Sequence, residues 1–194
     1  MTLAAQRLHV RRVPLLVAAV AIATALRLAA GAPAPAASPA AALLFSAVLL
    51  TAVAVCRTEL VRGSRSGVAL GVGGGAALLL VSLVGLPAIS LGPRAVSATL
   101  MWWVPLVSLV AVSEELVLRG VLFSALRSEH GDAVAVAVTA VLFALIHLPL
   151  YGLGAMPIDL AAGVLLGSLR VISGGVVAPA LAHVIADVAT GWVA

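Results

Sequence analysis

Residues 132–150 read DAVAVAVTAVLFALIHLPL, an apolar run opened by Asp132 whose only later ionisable group is His147. A helix needs about 20 such residues to cross the hydrocarbon of a bilayer, so this stretch reads as a membrane span. Runs of the same kind lie on either side of it. They cover roughly 13–31, 38–56, 67–91, 99–126, 156–171 and 174–193, each bounded by Arg, Gly or Pro. The whole chain agrees with them: 63% of its 194 residues are hydrophobic, 9% are charged, and the mean hydropathy is +1.26. A soluble domain could not cover its core with so little polar surface. The expected fold is all-α, a polytopic bundle of about seven transmembrane helices. Three generic spans in residues 1–98 precede a core of four spans in residues 99–194.

The basic residues are eleven arginines, and none forms the aromatic-interleaved cluster of a nucleic-acid surface. They carry topology instead. With the N-terminus in the cytoplasm, Arg7, Arg11, Arg12, Arg57, Arg62, Arg65, Arg127 and Arg170 fall inside and Arg94 outside, as the positive-inside rule requires. Trp102, Trp103 and Trp192 then fall at outer span ends, where aromatic rings favour the interface. Arg27 is expected to snorkel to the outer headgroups. Arginine-only basic usage with abundant Ala, Val and Gly points to a bacterial cell membrane and a GC-rich genome. Arg11-Arg12, an apolar stretch and Ala32-Pro33-Ala34-Pro35-Ala36-Ala37 also resemble a secretory signal with a cleavage region. The lone Cys56 has no intrachain partner and reads as a small core residue. Gly71-Val72-Gly73-Gly74-Gly75 lacks the ending of a phosphate loop and is expected to serve close helix packing, as is Gly163-x-x-x-Gly167.

Against this background the ionisable groups inside spans stand out, since each costs about 2.5–3.5 kcal/mol at mid-membrane on the lenient insertion scale. They are Glu114, Glu115 and Arg119 in the fourth span, His147 in the fifth, and His183 and Asp187 in the seventh. At 1.5 Å rise per residue, Glu114 lies about 20 Å from Arg127 and His147 about 22 Å from Asp132. His183 and Asp187 lie ~13 and ~19 Å from the Gly174 turn, so three helices deliver polar groups to one depth. Glu115 and Arg119, four apart, can neutralise each other as an ion pair. Glu114 is turned about 100° from Glu115, which leaves its carboxylate for the bundle interior and for general-base chemistry with a histidine. His183 and Asp187 share a face, so the carboxylate can orient the imidazole.

Each group also has a structural use. A Glu–Arg pair fastens membrane helices, and a single His in a span is often a packing residue. The convergence of several such groups favours a functional site. Asp159, in the first turn of the sixth span, suits the helix dipole, and Arg170 is expected to mark that span's cytoplasmic end.

Glu114-Glu115-x-x-x-Arg119, Phe143-x-x-x-His147 and His183-x-x-x-Asp187, in this order, resemble the CPBP (CAAX protease and bacteriocin-processing, or Abi) family of intramembrane proteases, which includes the type II CAAX prenyl proteases. His147-Leu148-Pro149-Leu150 and the run from Gly163-x-x-x-Gly167 through Ser173-Gly174 to Pro179 and His183 add to it. The resemblance spans roughly residues 100–190. It implies a helical bundle around a hydrophilic chamber and peptide-bond hydrolysis by a glutamate-activated water. Glu114 matches the general base, assisted by His147; Glu115 and Arg119 match the structural pair; His183 and residue 187 match the groups that steady the oxyanion. Position 187, usually Asn in the family, is Asp here. An ionised Asp has no proton to donate to an oxyanion. It also leaves zinc open as a cofactor, with Glu114, His147, His183 and Asp187 as N/O donors, although the metal-free mechanism is favoured and no His-Glu-x-x-His motif is present. The expected partners are the lipid bilayer and a peptide, lipidated or membrane-protein substrate. Two other classes fit the same residues: an inert membrane scaffold or bacteriocin-immunity factor, and a transporter with Glu and His at mid-depth. The lack of an inverted repeat speaks against transport.

Overall fold

A computed structural model describes residues 3–30, 38–56, 65–85 and 98–193. The region 32–37, with its cleavage-like run, lies outside these residues. So do the side chains of Arg7, Arg11, Arg57, Arg62, Arg65, Arg94 and Trp192 that bear on orientation. The described residues form α1 (Leu3–Ala29), α2 (Pro39–Cys56), α3 (Arg65–Gly85), α4 (Ala98–Glu115), a π-helical segment (Leu116–Leu122), α5 (Phe123–Tyr151), α6 (Met156–Ser173) and α7 (Val177–Val193). The architecture is an all-α polytopic bundle, and the chain is an integral membrane protein.

Among the described residues, four helical stretches are long and apolar enough to cross a membrane: Arg12–Ala29, Pro39–Cys56, Trp102–Tyr151 and Met156–Ser173. Shorter apolar stretches lie in α3 (Ser66–Val81) and α7 (Val177–Ala189). Trp102–Tyr151 is 50 residues, about 75 Å of helix, which is more than twice a bilayer core. It is divided at Gly131, whose φ of 82° and ψ of 177° break the helix in a region that only glycine enters without strain. The fourth span thus runs helically past residue 126, the end expected from hydropathy, up to that break. Arg127 pairs with Asp132 across it. α6 ends on Gly174 in the left-handed conformation, a common helix stop.

The bundle is inverted relative to a soluble protein. Leu80, Val55, Leu153, Ile172 and Trp102 are exposed, whereas Ser113, Glu114, Glu115, Arg119, Thr139, Arg170 and His183 are buried. Hydroxyls inside the helices are satisfied locally, as where Thr139 Oγ1 donates to the Ala135 carbonyl at 2.8 Å and Ser113 Oγ to Val110 at 2.8 Å. The closest pairings are α3 with α7, α5 with α6, and α1 with α2, while α4 lies against α7 and α2.

The glycines make these pairings close. A Cβ at Gly71 would stand 2.9 Å from Leu181 Cβ, one at Gly74 2.5 Å from Leu169 Cδ1, and one at Gly75 2.8 Å from Ile185 Cβ. The packing use expected for the glycine run is therefore seen, with Gly73 alone of the four facing open space. On α6, Gly163 lies against Ala140 and Gly167 against Val136 of α5.

Candidate active site

α4 delivers Glu114 and Glu115 in its last turn, the π-helical segment adds Arg119, α5 adds Phe143 and His147, and α7 adds His183 and Asp187. Glu115 and Arg119 are fully buried and meet at 2.7 Å. A buried guanidinium needs further acceptors, and Arg119 Nη2 donates to the Gly163 carbonyl of α6 at 3.1 Å. Its guanidinium carbon also lies 4.8 Å from the centre of the Phe143 ring, in cation–π contact.

His183 is wedged between the two glutamates. Its Nδ1–H donates to Glu115 Oε1 at 3.0 Å, which fixes the ring. Nε2 then faces Asp187 Oδ2 at 3.5 Å and Glu114 Oε2 at 3.9 Å, the latter beyond direct hydrogen bonding. The histidine nearest Glu114 is therefore His183, whereas the family resemblance implied His147 as its assistant. Spacing within a helix sets depth, but not the rotation of one helix against another.

His147 reaches the cluster through an aromatic ring. Its centroid lies 4.4 Å from that of Phe143, and the other edge of Phe143 meets His183 at 5.3 Å. His147 Nδ1 sits 2.8 Å from the Phe143 carbonyl, so Nδ1–H donates there and Nε2 keeps its lone pair. Tyr151, one turn on, stacks on His147 at 5.6 Å. Phe143 is thus the common neighbour of Arg119, His147 and His183. It belongs to a quoted motif, but Tyr151 carried no signal beyond its i, i+4 spacing from His147.

The site is closed at one end and open at the other. Glu115 and Arg119 are inaccessible, the Glu114 and His183 side chains are 4% exposed, and the Asp187 side chain is 40% exposed. Asp187 therefore stands at the mouth, within electrostatic range of Asp159 from α6.

Two arginines differ from expectation. Arg27 does not snorkel: it is 4% exposed, lies 5.3 Å over the Phe45 ring, and its charge acts on Glu114, His147 and Asp187. The two internal carboxylates, Glu114 and Asp187, attract this cation across a low-dielectric interior. Arg170 does not simply end its helix. It is 4% exposed, and its Nε donates to the Arg119 carbonyl at 2.8 Å.

Zinc requires at least three convergent donors. Among the described residues no three His, Cys, Asp or Glu side chains form such a group. With Nδ1 of His183 on Glu115 and Nδ1 of His147 on a carbonyl, Nε2 is the nitrogen that either ring would offer to a metal.

Residues 96–189 match the family model described as Type II CAAX prenyl endopeptidase Rce1-like. No curated protein and no solved structure matches the chain.

Proposed function

We propose that this chain, whose residues 96–189 match the type II CAAX prenyl endopeptidase Rce1-like model, is a CAAX-type intramembrane protease of the CPBP family that cleaves a peptide bond with a water activated by Glu114. The observation that carries the reading is His183 held between two adjacent buried glutamates, one tied to Arg119 and the other facing the open end.

The two carboxylates divide the work. Glu115 is tied through Oε1 to both Arg119 and His183 and acts as a support. Glu114 has no such tie and takes a proton from water as the oxygen attacks the scissile carbonyl carbon. Charge then develops on the carbonyl oxygen, where a fixed donor accelerates the reaction most. In its doubly protonated form His183 would give Nδ1–H to Glu115 and Nε2–H to this oxyanion, its charge matched by Asp187. Asp187 thus acts through His183, which accounts for a carboxylate at a position where the family usually has an amide donor. His147, with Nε2 unprotonated, is the second base in reach of the chamber. When the tetrahedral intermediate collapses, the carbon–nitrogen bond breaks and the proton held by Glu114 passes to the departing amine.

The substrate reaches the site from the bilayer or its surface, by way of the Asp187 end. The test is cleavage of a fluorogenic prenylated CAAX peptide by the purified protein in micelles, with and without a chelator. Glu114→Gln is expected to remove cleavage while leaving the helical circular dichroism and elution volume unchanged. Full cleavage by that variant would end the glutamate mechanism, and loss of wild-type cleavage on chelation would replace it with a metal-dependent one.

A further inference from the structure

We infer that Arg170 is a positioning residue that holds the π-helical register on which the acidic pair depends. The inference draws on the protease reading for one of its two readouts.

A π-helical segment steps five residues per hydrogen bond where an α-helix steps four. At the end of the segment, the Phe123 N–H is shared between the Leu118 carbonyl, five residues back, and the Gly120 carbonyl, three residues back. In an α-helix that same N–H would bond the Arg119 carbonyl, four residues back. The carbonyl of Arg119 is the one that this change of step passes over. A buried carbonyl left without a partner is strongly unfavourable, and more so in a membrane.

Arg170 supplies the partner from 51 residues away, through Nε–H at 2.8 Å. Its other contacts fall on the same few residues: Nη2 is 3.5 Å from Ser124 Oγ, and the guanidinium carbon is 5.4 Å from the centre of the Phe123 ring. A buried arginine is thus placed where the π-helical step ends.

That place bears directly on the site. The side chain of the same Arg119 holds Glu115, and Glu115 holds His183. Without Arg170, the passed-over carbonyl is satisfied only if the helix slips to a four-residue step. A one-residue slip turns the preceding residues by about 100° relative to α5. Glu114 and Glu115 would then leave His183 without any loss of helix.

The test compares full-length Arg170→Met and Arg170→Lys with wild type in micelles. The first readout is the ¹⁵N NMR signal of the His183 Nδ1–H, assigned by its loss in His183→Gln. The second is cleavage of the prenylated CAAX peptide. Arg170→Met is expected to lose the hydrogen-bonded Nδ1–H signal, and kcat should fall by more than about 100-fold with little change in KM, since a misplacement of about 1 Å alone costs that much. Arg170→Lys, which keeps a donor for the carbonyl, is expected to retain the signal and most of the rate. An unchanged His183 signal in folded Arg170→Met overturns the inference. If Arg170→Met does not fold, deleting Val121 in the same chain removes the extra residue and the passed-over carbonyl with it. Recovery of folded protein then supports the inference and failure to recover overturns it. The NMR signal needs no substrate, so a wild type that does not cleave the peptide ends the protease reading alone.

Discussion

Substituting Gly163 by Ala perturbs two things through one atom. An ideal Cβ there would lie 2.7 Å from Ala140 Cα and 3.0 Å from both the Cβ and the carbonyl oxygen of Ala140. Carbon atoms rest at about 3.5–4.0 Å, so α6 has to withdraw from α5 by roughly 1 Å. The obstacle is backbone, which cannot rotate away. The Gly163 carbonyl also accepts from Arg119 Nη2 at 3.1 Å, and the same withdrawal takes that bond to about 4 Å, outside hydrogen-bonding range. Overpacking costs about 1–3 kcal/mol, and the loss of a hydrogen bond to a charged group about 1.5–3 kcal/mol. Taking the low part of each range gives about 3 kcal/mol, which for a chain of this length corresponds to a melting temperature lower by roughly 6–12 °C. Thermal unfolding in micelles, followed by circular dichroism, measures the shift. The cleavage assay reports whether Arg119 still holds Glu115. Gly73→Ala is the control, because nothing lies within 4 Å of its Cβ position and alanine is the better helix former. A Gly163→Ala protein that melts within about 2 °C of wild type would refute the packing argument, since even its smaller part requires more.

Two further outcomes test the mouth and the buried charge balance. Asp187→Asn is expected to keep cleavage within about tenfold of wild type, because an amide can donate to the oxyanion directly, while Asp187→Leu loses it; equal losses in peptide cleavage would show that the charge itself is required. Arg27→Met is expected to lower kcat by about tenfold while Arg27→Lys retains it, because the charge of Arg27 bears on Glu114 and Asp187; an unchanged rate for the methionine variant would confine Arg27 to packing on Phe45.

The sequence made much of the bundle legible for a simple reason. Hydrocarbon requires long apolar helices, and their lengths and bounding residues are visible one segment at a time. The convergence of Glu114, Glu115, Arg119, His183 and Asp187 was legible as well, because depth along a helix is linear in residue number. Features that depend on relations between helices were not. Nothing in Leu116–Leu122 distinguishes a π-helical from an α-helical step, since the register is held by Arg170 from another helix. Arg170 itself has the placement of an ordinary basic residue in a last turn. Arg27 looked like an interfacial arginine because its distance from the span's end is readable and the acids it faces lie on α4 and α7. The choice of His183 over His147 beside Glu114 turns on helix rotation, which no single helix encodes.

α7 bears His183 and Asp187, and it is seated on the glycines of α3, with Gly71 against Leu181, Gly74 near Ala182 and Gly75 against Ile185. These contacts bracket His183, so the height and tilt of a residue in the family-matched half are set by a helix outside that match. The two halves are therefore not interchangeable parts. A chimera that joins residues 96–189 to the leading helices of a relative would carry every motif residue and still misplace the imidazole, unless α3 and α7 were exchanged as a matched pair. Inheritance of the chemistry in this protein is tied to inheritance of a glycine ridge that takes no part in it.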